Sequence, residues 1–196
     1  SAVGSGPPLV KAANWLNHLE FEWESAVWKH WIQAFSTHHR FVRYDERGCG
    51  LSDWQIPEQS FNAWVEDLET VVDALGIDRF DLLGISQGGA VAAMYAARHP
   101  ERVSHLILNG AYAGGWNFRD NPREVEARDA IIKLIRLGWG KNNPAFRQIF
   151  TTRFLPDATP EEADWFDDLQ RITAPPENAA RFMEEFSRID VRPILG

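Results

Sequence analysis

The sequence predicts an α/β fold, a parallel sheet with helices on both faces, followed by a helical cap over the carboxyl ends of the strands. Three observations carry this. Between Leu9 and Leu108, short apolar stretches alternate with segments of helical periodicity. Phe80 to Pro100 combines a buried strand, the pattern G-x-S-x-G over Gly84 to Gly88, and an Ala-rich helix. From Pro122 to Arg188 only helical patterns remain.

In chain order, Pro7 to Ala12 reads as loop into a first strand, and Asn14 to Glu24 as a long polar and aromatic loop. A helix from about Ser25 to Ser36 places Trp28, Trp31, Ile32 and Phe35 on one apolar face. Arg40 to Tyr44 is a second strand, followed by a turn-rich loop from Asp45 to Asp53. Ser60 caps the next helix, whose buried face runs through Phe61, Trp64, Val65, Leu68, Val71, Val72 and Leu75 to a stop at Gly76. Phe80, Leu82 and Leu83 open the third strand, and Val103 to Leu108 form the fourth. The four strands are expected in one parallel sheet, the second beside the first, the first beside the third, the third beside the fourth. The helices that follow are expected at about residues 123–137, 143–150, 160–171 and 176–188, the third opened by a capping box from Thr159 to Glu162.

Composition narrows the function classes. The chain has 196 residues, 44% of them hydrophobic, and a net charge of −8 with both signs interspersed, which argues against nucleic acid as a partner. No apolar run approaches a bilayer span, and no signal segment precedes Pro7, so a cytoplasmic location without membrane association is expected. The single Cys49 excludes an internal disulfide and reads as a structural thiol. The acidic residues show no metal-ligand spacing and the glycine turn lacks the Lys of a phosphate loop, so no metal and no cofactor is implied.

The serine turn carries the chemistry. Reversal from strand to helix within a few residues pushes Ser86 into a strained backbone conformation, and side chains at Gly84 or Gly88 would crowd the turn. A hydroxyl held there sits on a helix amino end that favours developing negative charge.

These residues resemble the α/β-hydrolase family along nearly the whole chain. Gly84-Ile85-Ser86-Gln87-Gly88 is similar to its nucleophile elbow, Asp45 to Ser52 to the D-x-R-G-x-G-x-S loop of its cap-bearing branch, and Arg98 to Val103 to that branch's joint into the next strand. Val10 to Leu16 and Asp45 to Trp54 resemble a bacterial subgroup whose hydrolase domains are often fused to adenylate cyclase or helix-turn-helix regulators. The resemblance implies Ser86 as nucleophile and an oxyanion hole from the backbone N–H groups of Trp15 and Gln87. Ala13-Asn14 stands where many relatives carry His-Gly. Asn14, His18, Trp116 and Trp139 are the candidates for the substrate pocket.

The family order is Ser, then acid, then His. Only His99 and His105 follow Ser86, and both read as structural; the positions after the fourth strand hold Asn109, Gly110 and Ala111 rather than an acid. The resemblance therefore implies an acid and a His beyond residue 196, and the family's pair of antiparallel strands before Pro7 is expected to be absent from this sequence. The expected organisation is a partial core at 1–112, a cap at 113–190, and a return towards the core at 191–196. The function implied is hydrolysis of a small ester or amide, with a ligand-sensing domain of low turnover as the alternative reading. Partners left open are a second copy of the chain and a fused regulatory domain.

Overall fold

The structure, a computed structural model, describes residues 1–141 and 143–196. Strands β1 (Ala2–Val3), β2 (Pro8–Lys11), β3 (Arg40–Val42), β4 (Phe80–Ile85) and β5 (Val103–Asn109) form one sheet in the order β1-β3-β2-β4-β5. The β2–β3, β2–β4 and β4–β5 pairs are parallel, which is the neighbour order the sequence predicts. One strand was not anticipated. β1 pairs antiparallel with β3, Ala2 opposite Val42 and Val3 opposite Phe41, so part of an antiparallel edge does precede Pro7. Two residues are too few to carry a periodicity, and the pairing is fixed only from outside.

Alternation along the strands splits the core in two. Leu9, Phe41, Leu83 and Ile85 point to one face, where helix α1 (Lys29–His38) seats Ile32, Trp31 and Phe35. Val10, Val42, Phe80 and Leu82 point to the other, against α2 (Phe61–Ala74) and α3 (Gln87–Arg98). Helix α1 starts four residues later than expected. The Ser25 hydroxyl instead accepts from the N–H groups of Val27 (3.0 Å) and Trp28 (2.8 Å), closing a turn ahead of the helix.

Four helices follow: α4 (Pro122–Gly138), α5 (Pro144–Phe154), α6 (Pro160–Thr173) and α7 (Pro176–Arg188). Asn121, Asn143 and Thr159 cap the first three, each followed directly by Pro, the residue whose missing N–H costs nothing at that position. The two ends of this helical segment meet. Gly115 N–H donates to Ile189 O (2.8 Å) and Val191 N–H to Ala113 O (2.8 Å), a short antiparallel clasp.

Phe182 and Phe186 of α7 pack over the carboxyl end of the sheet. The Phe182 ring stacks on Trp15 and Trp64, both at 5.7 Å, and Trp15 stacks on Trp139 at 5.2 Å. No helix among the described residues is long and apolar enough to cross a membrane.

Candidate active site

Ser86 sits between β4 and α3 with φ 54° and ψ −125°, a conformation that non-glycine residues avoid. The neighbouring glycines permit it. A Cβ on Gly84 would lie 2.6 Å from the Gly89 Cα, and one on Gly88 2.8 Å from the Ala13 carbonyl. Ser86 N–H donates to Asn109 O at the end of β5 (3.0 Å), and its carbonyl accepts from Gly89 N–H (3.0 Å). The turn is thus anchored on both sides. Ser86 is exposed while the residues flanking it are buried, so the fold spends its local strain on presenting one hydroxyl.

That hydroxyl opens into a cavity of about 360 Å³ lined by Trp15, Tyr112, Trp116, Phe154, Met183 and Phe186, together with Arg119, Arg128 and Arg153. Its volume falls in the range of small-molecule sites. Larger depressions of about 520 and 660 Å³ lie elsewhere and do not include Ser86.

Below the turn is a buried polar lattice. Gln87, the first residue of α3, has a backbone N–H without an acceptor inside the helix. Its side chain spans two neighbours: Oε1 accepts from Trp15 N–H (3.2 Å) and Nε2 donates to Glu46 Oε1 (2.8 Å). Burial, then the charge of Asp67, hold the Glu46 carboxyl well above the ordinary carboxylate range. Beside it, Lys11 Nζ donates to Asn14 Oδ1 (2.5 Å), and Arg43 pairs with Glu22 (2.5 Å) out of solvent.

The loop after β3 completes the frame. Asp45 accepts from the backbone N–H groups of Leu19 (3.0 Å) and Leu51 (2.8 Å), and from the Asn17 side chain. Arg47 grips Asp67 of α2 through two hydrogen bonds of 2.7 and 2.6 Å. Cys49 is fully buried, its thiol pushed up to about 12 by burial, with Thr173 Oγ1 at 3.0 Å.

The residues singled out from sequence are only partly brought together. Ser86, Trp15 and Trp116 line one cavity. Trp15 N–H faces Gln87 Oε1, so that amide is already engaged in this conformation. Asn14 does not reach the cavity: it is buried, bonded to Lys11 and to the Trp15 carbonyl. His18 is likewise outside, its Nδ1 accepting from Phe21 N–H (3.2 Å) to close a local turn. Trp139 is core, 2% exposed, with its indole N–H on Ala174 O (3.0 Å). His99 is bound to Glu69 (2.9 Å) and His105 to Asp81 (2.7 Å), each away from Ser86. Sequence reasoning missed the three arginines, Tyr112, Phe154, Met183 and Phe186. Nothing in a helical periodicity says which face of α4, α5 or α7 meets the serine.

Among the described residues no group of three or more His, Cys, Asp or Glu is placed to hold a metal ion.

Comparison with known proteins identifies the family and the fold. The family model for the alpha/beta hydrolase fold matches residues 18–196. The (lyso)-N-acylphosphatidylethanolamine lipase of Homo sapiens is 34% identical over 152 residues, covering 70% of this chain and 43% of the lipase. The 2-hydroxymuconate semialdehyde hydrolase of Pseudomonas sp. strain CF600 is 34% identical over 147 residues, covering 74% of this chain and 42% of that enzyme. The chain thus spans less than half the length of these two relatives. Among solved structures, an esterase from Exiguobacterium antarcticum superposes with a TM-score of 0.75 at 24% identity, covering 100% of this chain and 71% of that one, a likeness of fold. With a family match over nearly the whole sequence, and a serine turn seated on a mostly parallel sheet, the chain belongs to the alpha/beta hydrolase fold family.

Proposed function

We propose that this chain is the nucleophile-bearing part of a serine hydrolase acting on a small ester or amide. One observation carries the reading: an exposed Ser86 hydroxyl, held at positive φ on the amino end of α3, opens into a cavity of ligand size. In this reading Ser86 Oγ attacks the acyl carbon, and the proton it loses passes to a His. The family resemblance puts that His, and the acid that orients it, after residue 196. The oxyanion is held by the N–H groups of Gln87 and Trp15 and favoured by the α3 dipole, the substrate carbonyl displacing Gln87 Oε1 from the Trp15 amide. Residues 113–190 act as a cap that shapes the pocket. The relatives named above, a lipase and a semialdehyde hydrolase, support hydrolysis as the reaction class.

The test is covalent labelling by a fluorophosphonate probe in the protein carried on past residue 196. Wild type should label stoichiometrically, and Ser86→Ala should lose labelling and about 10⁴-fold or more of its esterase turnover. Equal labelling of the two proteins would remove Ser86 from the mechanism. A protein that neither labels nor turns over p-nitrophenyl acetate would favour the ligand-sensing alternative.

A further inference from the structure

The cavity at Ser86 has a charge pattern that acyl hydrolysis alone does not require. Arg119 follows the turn at Trp116–Phe118, Arg128 lies on α4 and Arg153 on α5, so three separate elements bring guanidinium groups to one wall. Counter-charge is scarce there. Arg119 and Arg128 share a single carboxylate, Glu124 Oε1, at 3.1 and 3.2 Å. Among the described residues Arg153 forms no ion pair. Among the described residues no Asp or Glu lines the cavity. Three guanidinium groups against one carboxylate leave a local excess of two positive charges, in a chain whose net charge is −8.

Two of the three cations are also fixed in place. The Arg128 guanidinium lies 5.0 Å over the Trp116 ring, and that of Arg119 5.5 Å over the Tyr112 ring. Arg153 stands beside Arg128, and partial burial followed by that neighbour's charge lowers its proton affinity. An entering anion offsets the repulsion between these two guanidinium groups. The rest of the wall (Trp15, Phe154, Met183 and Phe186) is aromatic or apolar.

We propose that this cavity takes an acyl substrate bearing one anionic head group, a carboxylate or a phosphate. Arg119, Arg128 and Arg153 hold the head group, and the aromatic wall takes the apolar body. The assignment rests on the reading of this cavity as the substrate site of Ser86. A guanidinium fork matches either oxyanion in two parallel hydrogen bonds.

The experiment titrates the 196-residue chain with hexanoate, hexyl phosphate and the neutral hexanamide, read by tryptophan fluorescence, since Trp15 and Trp116 stand in the wall. At least one anion should saturate the signal at a concentration about ten-fold or more below that of the amide. The stronger anion identifies the head group. Arg119→Gln and Arg153→Gln should each cut that preference by about three- to ten-fold, with the circular dichroism spectrum unchanged. Equal affinity for amide and anions, no saturable binding of any of the three, or a preference untouched in both folded variants would overturn the proposal. Should a variant fail to fold, the comparison of anion and amide in wild type decides alone. Fluorophosphonate labelling keeps the two readings apart. Labelled Ser86 without anion preference sinks only the head-group assignment, and anion preference without labelling sinks only the nucleophile.

Discussion

At the scale of single residues, Glu46 is the group most sharply set by its surroundings. One carboxyl oxygen accepts from Gln87 Nε2 at 2.8 Å, and the other, Oε2, has no partner among the described residues. A charged carboxylate would be unsolvated there, so burial favours the neutral acid. Because burial and Asp67 raise its pKa on folding, the folded chain binds a proton that the unfolded chain has released at the same pH. Stability from this group is therefore complete below the ordinary value of 4.5 and is lost as pH rises towards the folded value. Glu46→Gln mimics the neutral acid and does not titrate. Its stability relative to wild type should climb with pH, reaching a gain of about 1–3 kcal/mol at pH 8 and little or none at pH 4.5. Urea midpoints of both proteins at the two pH values measure this, and a constant difference would mean that Glu46 is charged in the fold. The same lattice explains why Ser86 was legible from sequence and its neighbours were not. G-x-S-x-G states a backbone path, whereas the grip of Gln87 on Trp15 and Glu46 joins residues 72 and 41 positions apart.

At the scale of elements, helix α7 and the end of α6 fasten the loop after β3. Asn178 Nδ2 donates to Gly48 O (3.0 Å) and Trp54 O (2.9 Å), Gly50 N–H donates to Thr173 O (2.7 Å), and Thr173 Oγ1 donates to Asn17 O (2.7 Å). Asn178 is buried, so Asn178→Ala strands the buried Gly48 carbonyl and removes the bond to Trp54 O, and should cost about 2 kcal/mol in urea unfolding. A loss under 0.5 kcal/mol, the size of an ordinary surface change, would show that the clamp is dispensable. This contact also marks the boundary of what periodicity can reach. The helices themselves were readable, with α7 placed at 176–188 and α6 opening on the Thr159–Glu162 box, because caps and apolar faces are local. Which residues a helix brings to the serine is a tertiary matter. Trp139, near the start of the cap, reads as a pocket residue, yet its ring is pinned in the core by the Ala174 carbonyl. Arg119, Arg128 and Arg153 stand apart in sequence and meet only in the folded cavity.

At the scale of the whole molecule, the two sides of the sheet are unequal. β2 and β4 are central and nearly dry, while β5 pairs with β4 along one side only, and its other side has no neighbour among the described residues. The side chains follow. Leu82 and Leu83 of β4 are buried, but their partners Leu106 and Ile107 on β5 are 39% and 45% exposed, and Leu108 is 49% exposed. Alternation puts Leu106 and Leu108 on one face and Ile107 on the other, so neither face is covered. Unpaired backbone groups beside three apolar side chains form a template for another strand. From sequence the apolar run Leu106-Ile107-Leu108 suits a buried strand, whereas among the described residues it lies on an outer one. For the 196-residue chain the expected consequence is self-association at the concentrations used for spectroscopy. Sedimentation velocity at about 100 μM should show species heavier than the monomer. The double variant Leu106→Lys and Leu108→Lys should return the monomer, because charge on an edge strand opposes pairing while exposed positions tolerate it. Its circular dichroism should match wild type. A wild-type chain that sediments as a monomer, or a lysine variant that associates as strongly, would place the adhesive surface elsewhere than on β5.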